Sequence, residues 1–206
     1  MTLVKICGIT REDDIFTLLR YRIWALGFIQ IEESPRYIQP EKAREMVCRL
    51  PSQVLSVGVF RDQSVREIKQ IRNYCGFSLV QLHGKENSSY CAQLGKGVIR
   101  AFGIGEELDF RRIQEYISVV DYFLFDTLIR GRSGGTGQPF SWNLLKGIER
   151  LNKPFLVAGG LSSDNVEACI NAIHPFAVDV NSGVESSPGK KDREKTKALF
   201  QKLNTF

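Results

Sequence analysis

Leu3-Val-Lys-Ile-Cys7 and Ala177-Val-Asp-Val-Asn181 are short apolar runs near the two ends of the chain, and they decide the fold. Both are rich in β-branched residues, which favour strands, and six further runs of this kind lie between them. The predicted strands are 3–7, 23–29, 54–60, 78–83, 98–102, 122–126, 155–158 and 177–181. Helical periodicity separates them, at about 12–36 (an interval whose end must turn into the second strand), 40–50, 64–75, 87–94, 107–117, 141–151, 163–173 and 191–203.

This alternation of strand and helix repeats about every 26 residues, which is 206 divided by eight. Repeated strand–helix units form parallel sheets with right-handed crossovers. Eight units predict an α/β protein with a closed (βα)8 barrel of eight parallel strands, forming a single domain over residues 1–206. A doubly wound open sheet is the alternative, although it usually has five or six strands.

Composition narrows the classes of function. Hydrophobic residues make up 43% and charged residues 25%, which is typical of a globular chain. The net charge of +5 is spread along the sequence, so it favours anionic ligands weakly and argues against a nucleic-acid partner. No apolar run approaches the ~20 residues of a membrane span, and the N-terminus lacks the apolar core of a signal peptide. We therefore expect a cytoplasmic protein with no membrane contact.

The cysteines indicate a reducing compartment. There are five, an odd number, widely spaced and without a C-x-x-C pair, which argues against disulfides and against a metal site. Cys48, Cys75, Cys91 and Cys169 lie on or beside predicted helices and are expected to fill the core.

The period of two in a strand predicts which polar residues enter the barrel. Lys5 and Cys7 alternate with apolar neighbours in the first strand, and Asp179 and Asn181 do so in the eighth. A closed barrel makes these two strands neighbours, so Lys5 and Asp179 are expected to pair. We favour a structural ion pair, with a direct role in ligand binding as the alternative.

Four polar residues end predicted strands: Cys7, His83, Asp126 and Asn181. The carboxyl ends of barrel strands are where enzymes of this architecture place their chemistry. An acid and a thiol that converge there favour a catalytic site, although single polar residues at strand ends commonly only begin loops.

Glycine-rich loops follow the last three strands, with Gly131-Arg-Ser-Gly-Gly-Thr-Gly137 as the longest. It is not a Walker A motif, because Gln138 stands where that motif has lysine. Gly159-Gly160 and Ser182-Gly183 follow strands seven and eight, where phosphate sites of barrels recur, and residues 183–187 are expected to form a short extra helix. The sequence thus predicts a phosphorylated small molecule across the barrel mouth.

In combination, seven motifs resemble the phosphoribosylanthranilate isomerase family of tryptophan biosynthesis, whose fold is a (βα)8 TIM barrel. They run in order over residues 3 to about 185. The motifs are Val4-Lys-Ile-Cys-Gly-Ile-Thr10, Ser34-Pro-Arg36, Val57-Gly-Val-Phe60, Val80-Gln-Leu-His-Gly84, Gly134-Gly-Thr-Gly137, Ala158-Gly-Gly-Leu161 and Asp179-Val-Asn-Ser-Gly-Val-Glu185.

The resemblance implies an Amadori rearrangement of N-(5-phosphoribosyl)anthranilate that needs no cofactor or metal. It implies Cys7 as general base, Asp126 as general acid and Arg36 as the group that binds the anthranilate carboxylate. It places the phosphate on backbone donors of three loops, around Gly135 and Thr136, Gly159 and Gly160, and Ser182 and Gly183. His83 and Asp179 are further substrate-binding candidates, each with a purely structural role as the alternative.

These residue types suit the reaction. Asp126 can protonate the furanose oxygen as the ring opens, and the resulting iminium acidifies the neighbouring C2′ proton for removal by a thiolate. A free thiol titrates near ~8.5, so we expect Lys5 or Arg36 to lower the pKa of Cys7. The sequence departs from the family pattern at Gln30, where an aromatic is expected near the anthranilate pocket.

Three alternatives remain. A dual-specificity isomerase that also takes the histidine-pathway aminoaldose would be expected to pair two aspartates, and indoleglycerol-phosphate synthase would need a Lys and Glu pair at strand ends. A barrel that binds a phosphorylated ligand without turnover would be expected to lack Cys7 or Asp126. Members of the resembled family are mostly monomeric, so a monomer is favoured over a homodimer.

Overall fold

The computed structural model describes residues 1–104, 109–126 and 142–203. Eight parallel strands close into one barrel in sequence order, with β8 paired to β1, so the open-sheet alternative is wrong. The barrel strands are β1 (Leu3–Ile6), β2 (Ala25–Ile29), β3 (Leu55–Phe60), β4 (Leu79–Leu82), β5 (Val98–Gly103), β6 (Tyr122–Asp126), β7 (Phe155–Ala158) and β8 (Ala177–Val180).

Helices connect the strands on the outside. Those described are α1 (Glu12–Leu18), α2 (Pro40–Val47), α3 (Val65–Cys75), α4 (Ser88–Leu94), α5 (Phe110–Gln114), α6 (Val166–Ile173) and α7 (Arg193–Leu203). None of these helices is long and apolar enough to cross a lipid bilayer.

Two predicted helical intervals are wrong in part. The interval 12–36 stops at Leu18, because β2 and its flanking turns need the remaining residues. Within the interval 141–151, the described residues form two 3₁₀ turns, Trp142–Leu145 and Ile148–Leu151, rather than an α-helix. Gly147 between them has a positive φ of 91°, which breaks the helical path.

The alternation of each strand builds two separate apolar regions. Side chains that point outward, such as Phe28 and Phe125, pack under the helices. Inward side chains such as Val57 and Leu156 fill the lower half of the barrel. The amino-terminal end of the barrel is closed by Trp24, Tyr122 and Phe176, whose ring centroids lie 5.3–5.5 Å apart.

A small hairpin follows β8. Ser182–Val184 is a 3₁₀ turn, and β9 (Glu185–Ser187) then pairs antiparallel with β10 (Lys190–Lys191). The prediction of a short helix over 183–187 is therefore wrong from Glu185 onward, where the chain forms a strand. Thr10 ties the hairpin to the loop after β1, donating to the Gly189 carbonyl over 2.6 Å.

The cysteines divide between core and surface. Cys75, Cys91 and Cys169 are buried as expected. Cys48 is exposed at the end of α2, so its assignment to the core is wrong. Among the five thiols, each of which belongs to a described residue, only Cys7 lines the main cavity at the barrel mouth.

Candidate active site

A cavity of about 470 Å³ opens at the carboxyl ends of the barrel strands. Its volume lies in the range that holds a small metabolite. Most of the predicted site residues that the structure describes converge on it, and so do three aliphatic side chains from β2, β3 and the loop after β2. Its lining includes Cys7, Ile29, Ile31, Ser34, Arg36, Val59, Gln81, His83, Asp126, Gly159, Gly160, Asp179, Asn181 and Ser182.

Cys7 follows β1 directly and is 5% exposed, at the floor of this cavity. Gly27 makes room for it: a Cβ at Gly27 would lie 2.7 Å from the Cys7 sulfur and 3.2 Å from Lys5 Nζ. Burial raises the pKa of the thiol; Lys5 and Lys191 lower it, Asp179 raises it, and the net shift is upward. Lys5 thus lowers the pKa of Cys7 as predicted, but burial outweighs this contribution.

Lys5 and Asp179 form the predicted ion pair. Lys5 Nζ lies 2.7 Å from Asp179 Oδ2, and the side chains are 0% and 6% exposed. Burial alone would lower the pKa of Lys5, but the neighbouring Asp179 and Cys7 raise it, and the net shift is upward. The other carboxylate oxygen, Asp179 Oδ1, is buried and has no hydrogen-bond partner among the described residues.

Asp126 ends β6 on the opposite side of the cavity mouth and is the second predicted catalytic residue. Its Oδ2 atom lies 3.3 Å from His83 Nε2, and His83 Nδ1 in turn lies 3.3 Å from Gln81 Nε2. If the Gln81 amide donates to Nδ1, the neutral imidazole carries its proton on Nε2, facing Asp126. Three side chains from two strands thus form one polar line across the barrel mouth.

Arg36 stands at one end of the cavity, on the loop that leaves β2. Its Nε and Nη2 atoms grip the carboxylate of Glu185 at 2.6–3.0 Å. A guanidinium has five N–H donors, and Nη1 has no hydrogen-bond partner among the residues that the structure describes, so it can bind a further anion. This geometry agrees with a role in carboxylate binding and adds a fixed anchor behind it.

The glycine loops stand at the other end. Gly159 and Gly160 have positive φ angles of 95° and 65°, and a Cβ on Gly160 would have no atom of another described residue within 4 Å beyond its two chain neighbours. Their backbone and that of Ser182 line the cavity. Gly183 lies outside the lining, and its missing side chain instead lets the chain pass against the Leu161 carbonyl.

The rest of the predicted phosphate site, Gly135 and Thr136, lies outside the described residues. Gln30 is buried, and its amide donates to the Ile38 carbonyl over 3.1 Å. It is absent from the described lining of the main cavity, where the neighbouring Ile29 and Ile31 provide the apolar wall.

Sequence reasoning missed three residues around the site. Glu185 and Gln81 lie within the motifs but have no role predicted from them, and Lys191 falls within the predicted helix 191–203. Lys191 in fact lies on β10 with its ammonium buried behind Cys7. A signal for Glu185 was available, since an acid that closely follows a strand end can reach the same rim.

The chain is similar to known proteins over nearly its whole length. The family model N-(5'phosphoribosyl)anthranilate (PRA) isomerase matches residues 4–202. A protein of Syntrophus aciditrophicus named N-(5'-phosphoribosyl)anthranilate isomerase is 42% identical over 207 residues, covering 100% of this chain and 89% of the relative.

Solved structures agree with these matches. The crystal structure of phosphoribosyl anthranilate isomerase from Thermotoga maritima is similar with a TM-score of 0.92 and 36% identity, covering 100% of both chains. A phosphoribosyl anthranilate isomerase in complex with reduced 1-(o-carboxyphenylamino)-1-deoxyribulose 5-phosphate gives a TM-score of 0.88 and 34% identity, again over 100% of both chains.

Proposed function

Because the chain belongs to the N-(5'-phosphoribosyl)anthranilate isomerase family, we propose that it catalyses that family's Amadori rearrangement in L-tryptophan biosynthesis. The substrate is N-(5-phospho-β-D-ribosyl)anthranilate, and the product is 1-(2-carboxyphenylamino)-1-deoxy-D-ribulose 5-phosphate. The observation that carries this proposal is one cavity with an acid and a thiol on its walls, between Arg36 and the glycine loops.

The cavity suggests one orientation for the substrate. The anthranilate carboxylate lies at Arg36, where Nη1 is available, and the ring packs between Ile29 and Ile31. The phosphate lies at Gly159–Gly160 and Ser182, at the ends of β7 and β8. The ribose then spans the middle of the cavity, between the two proton-transfer groups.

Asp126 begins the reaction as the general acid. Its protonated carboxyl donates to the furanose oxygen, the C1′–O4′ bond breaks, and the nitrogen lone pair forms the C1′=N iminium. The hydrogen bond between His83 and Asp126 stabilises the carboxylate that this transfer leaves. A positioned acid of this kind contributes roughly 10²–10⁴ in rate.

Cys7 completes it as the general base. Its thiolate takes the C2′ proton, the C–H electrons form the C1′=C2′ bond, and the iminium nitrogen is neutralised. The enolamine then loses its C2′ hydroxyl proton and gains a proton at C1′, which gives the ketose. Lys5 and Lys191 favour the thiolate. The iminium adds a third positive charge during the step in which the thiolate removes the C2′ proton.

Two buried oxygen atoms can accept hydrogen bonds from the sugar hydroxyls. Asp179 Oδ1 and Gln81 Oε1 are buried at the cavity wall and have no hydrogen-bond partner among the described residues. A buried polar atom without a partner costs free energy, which a bound hydroxyl recovers. The ribose hydroxyls of the open-chain intermediate are donors of the right kind.

The proposal is tested by turnover of freshly made phosphoribosylanthranilate at pH about 7.5, near the operating range of general acid–base pairs. Loss of substrate fluorescence is followed with indoleglycerol-phosphate synthase present to remove product, without added metal. We expect turnover and an isolated ketose product. Absence of turnover, with thermal stabilisation by the substrate, would instead indicate a binding protein, and the histidine-pathway aminoaldose would be assayed next.

The same preparation tests two further expectations. We expect light scattering to give the mass of a monomer and cell fractionation to place the chain in the cytoplasm. A homodimer would contradict the first expectation without affecting the assignment of the reaction.

A further inference from the structure

Lys191 lies behind the candidate active site, and its ammonium is not one of the two groups that transfer protons in the reaction described above. Its side chain is 2% exposed, and its ammonium touches three acceptors. Nζ donates to the Cys7 carbonyl at 2.6 Å, to Asn181 Oδ1 at 3.1 Å and to Glu185 Oε1 at 3.0 Å. All three donors of the ammonium are therefore used, and each partner belongs to a different part of the rim.

Glu185 extends this cluster to the far end of the cavity. Its carboxylate accepts hydrogen bonds from Nε and Nη2 of Arg36. It also accepts one from the Gly189 backbone N–H at 3.1 Å. Burial alone would raise the pKa of Glu185, but Arg36 and Lys191 lower it, and the net shift is downward. Glu185 is therefore an anion at neutral pH that joins two cations.

The chain around Cys7 is tightly packed against the same cluster. Gly8 has a positive φ of 74°, and a Cβ there would lie 2.7 Å from Asn181 Oδ1 and 2.8 Å from Arg36 Cδ. The peptide after Cys7 thus fits between Asn181 and Arg36, both of which the cluster holds. Movement of Lys191 would disturb the thiol and the guanidinium together.

We propose that Lys191 is a positioning residue for two groups of the site. It fixes the backbone at Cys7 and, through Glu185, the guanidinium of Arg36. This inference rests on the proposed function for its meaning in catalysis. A purely structural lysine would stabilise the hairpin of β9 and β10 without any effect on the Cys7 thiol or on substrate affinity.

The pKa of the Cys7 thiol distinguishes this positioning role from a purely structural one, because it responds to the charge of Lys191. Lys5 on β1, Asp179 on β8 and Lys191 on β10 are the charged groups that act on the Cys7 thiol, while β2 contributes the uncharged Gly27. Lys191 favours the thiolate. Its removal therefore raises the pKa of Cys7, so that less thiolate is present at any pH below that value.

The experiment compares Lys191→Met with Lys190→Met, both in a Cys48→Ser background that removes the exposed thiol. Lys190 precedes Lys191 on β10 but has an exposed side chain, which makes it a matched control. Alkylation of Cys7 by iodoacetamide is followed by peptide mass spectrometry across a pH series. Turnover of phosphoribosylanthranilate gives kcat and KM for the same proteins.

We expect Lys190→Met to match the parent in every measurement. Lys191→Met should alkylate at Cys7 about tenfold more slowly at pH about 8.5, because the pKa of the thiol rises. Its KM should rise about tenfold, because Glu185, which holds Arg36, loses its contact with the ammonium. A folded Lys191→Met protein with the parent's alkylation rate and KM would overturn the proposal.

A second variant keeps the test decisive if Lys191→Met does not fold. Glu185→Gln retains the shape of the side chain but removes the charge that holds Arg36, so KM should rise about tenfold while Cys7 alkylation stays rapid. An unchanged KM would overturn the proposal. Alkylation needs no substrate, so a parent protein without isomerase activity would refute the proposed function and leave the alkylation comparison intact.

Discussion

The lower and upper halves of the barrel interior are built by the same alternating strands, yet they hold opposite chemistry. The lower half is filled by a cluster of apolar side chains, among them Val57, Ile99 and Leu156, which are fully buried. The upper half buries Lys5 and Asp179 to nearly the same degree. The lower side chains need only fill volume, whereas each buried polar or charged side chain of the upper half needs a partner of matching charge or hydrogen-bonding type.

The difference between the two halves lies in the buried ion pair of the upper half, which adds little stability compared with apolar filling. A barrel filled with aliphatic residues throughout would be simpler to build, and buried ion pairs are often no more stabilising than apolar replacements. The upper layer therefore departs from the apolar filling that is found in the lower layer. Such departures are expected at functional sites.

The largest expected effect comes from breaking the upper layer at its ion pair. Lys5→Met leaves Asp179 charged and buried, which should lower the free energy of unfolding by about 3–5 kcal/mol. Chemical denaturation measures this loss. The paired variant Lys5→Met with Asp179→Leu should recover much of it, and equal losses in both proteins would contradict a coupled pair.

The pH dependence of stability sharpens the same point. The folded-state pKa of Lys5 is raised above its ordinary value of 10.5. Its contribution is therefore fully present below pH 10.5 and is lost as the pH rises through the folded-state pKa. Thermal melting in alkaline buffers should show a steeper fall for the parent than for the Lys5→Met, Asp179→Leu protein. Parallel curves would exclude this linkage.

The lower layer should respond to volume and not to charge. Leu156→Ala opens a cavity in a fully buried position and should cost about 2–5 kcal/mol of unfolding free energy. Because Leu156 belongs to the apolar filling below the site, kcat and KM below the melting temperature should stay within about twofold of the parent. A large fall in kcat of folded protein would show that the two halves are not separable.

Arg36 tests the upper rim with a smaller effect. Arg36→Lys keeps the charge but loses the planar fork that binds the Glu185 carboxylate through Nε and Nη2. A charge-assisted hydrogen bond is worth about 1.5–3 kcal/mol, so KM should rise roughly 10–100-fold with a smaller change in kcat. Steady-state kinetics at saturating and limiting substrate separate the two parameters. Unchanged KM would remove Arg36 from substrate binding.

The smallest expected effect is at the surface. Cys48→Ser alters an exposed side chain outside both layers and should change the unfolding free energy by less than about 0.5 kcal/mol. Its melting temperature and turnover provide the baseline for the other variants. A clear loss of either would mean that α2 contributes more to the barrel than its exposure implies.

Much of this architecture could be predicted because it is local. The period-two pattern places Lys5 and Asp179 inside the barrel, and closure of β8 on β1 brings them together at matched register. Strand ends likewise place Cys7 and Asp126 on one rim. None of these inferences needs a side-chain conformation, only the alternation of a strand and the order of the sheet.

The remaining features depend on contacts that the sequence pattern does not specify. Lys191 reaches Cys7 across 184 positions, and its place depends on the path of the hairpin after β8. Arg100 points away from the barrel interior into the outer core, where carbonyl oxygens of Leu82, Gly84 and Ala101 accept its N–H groups at 2.6–3.0 Å. The net direction of the Cys7 pKa shift also depends on the degree of burial, which outweighs the lysine beside the thiol and which the sequence pattern does not specify.

The central claim is that Cys7 and Asp126 carry the chemistry of the upper layer. The most direct test is kcat for the parent, Cys7→Ser and Asp126→Asn side by side, with melting temperatures as the control for folding. We expect each variant to fold like the parent and to lose at least about 100-fold in kcat, the typical contribution of a proton-transfer group. A folded Cys7→Ser protein that turns over at the parent's rate would contradict it.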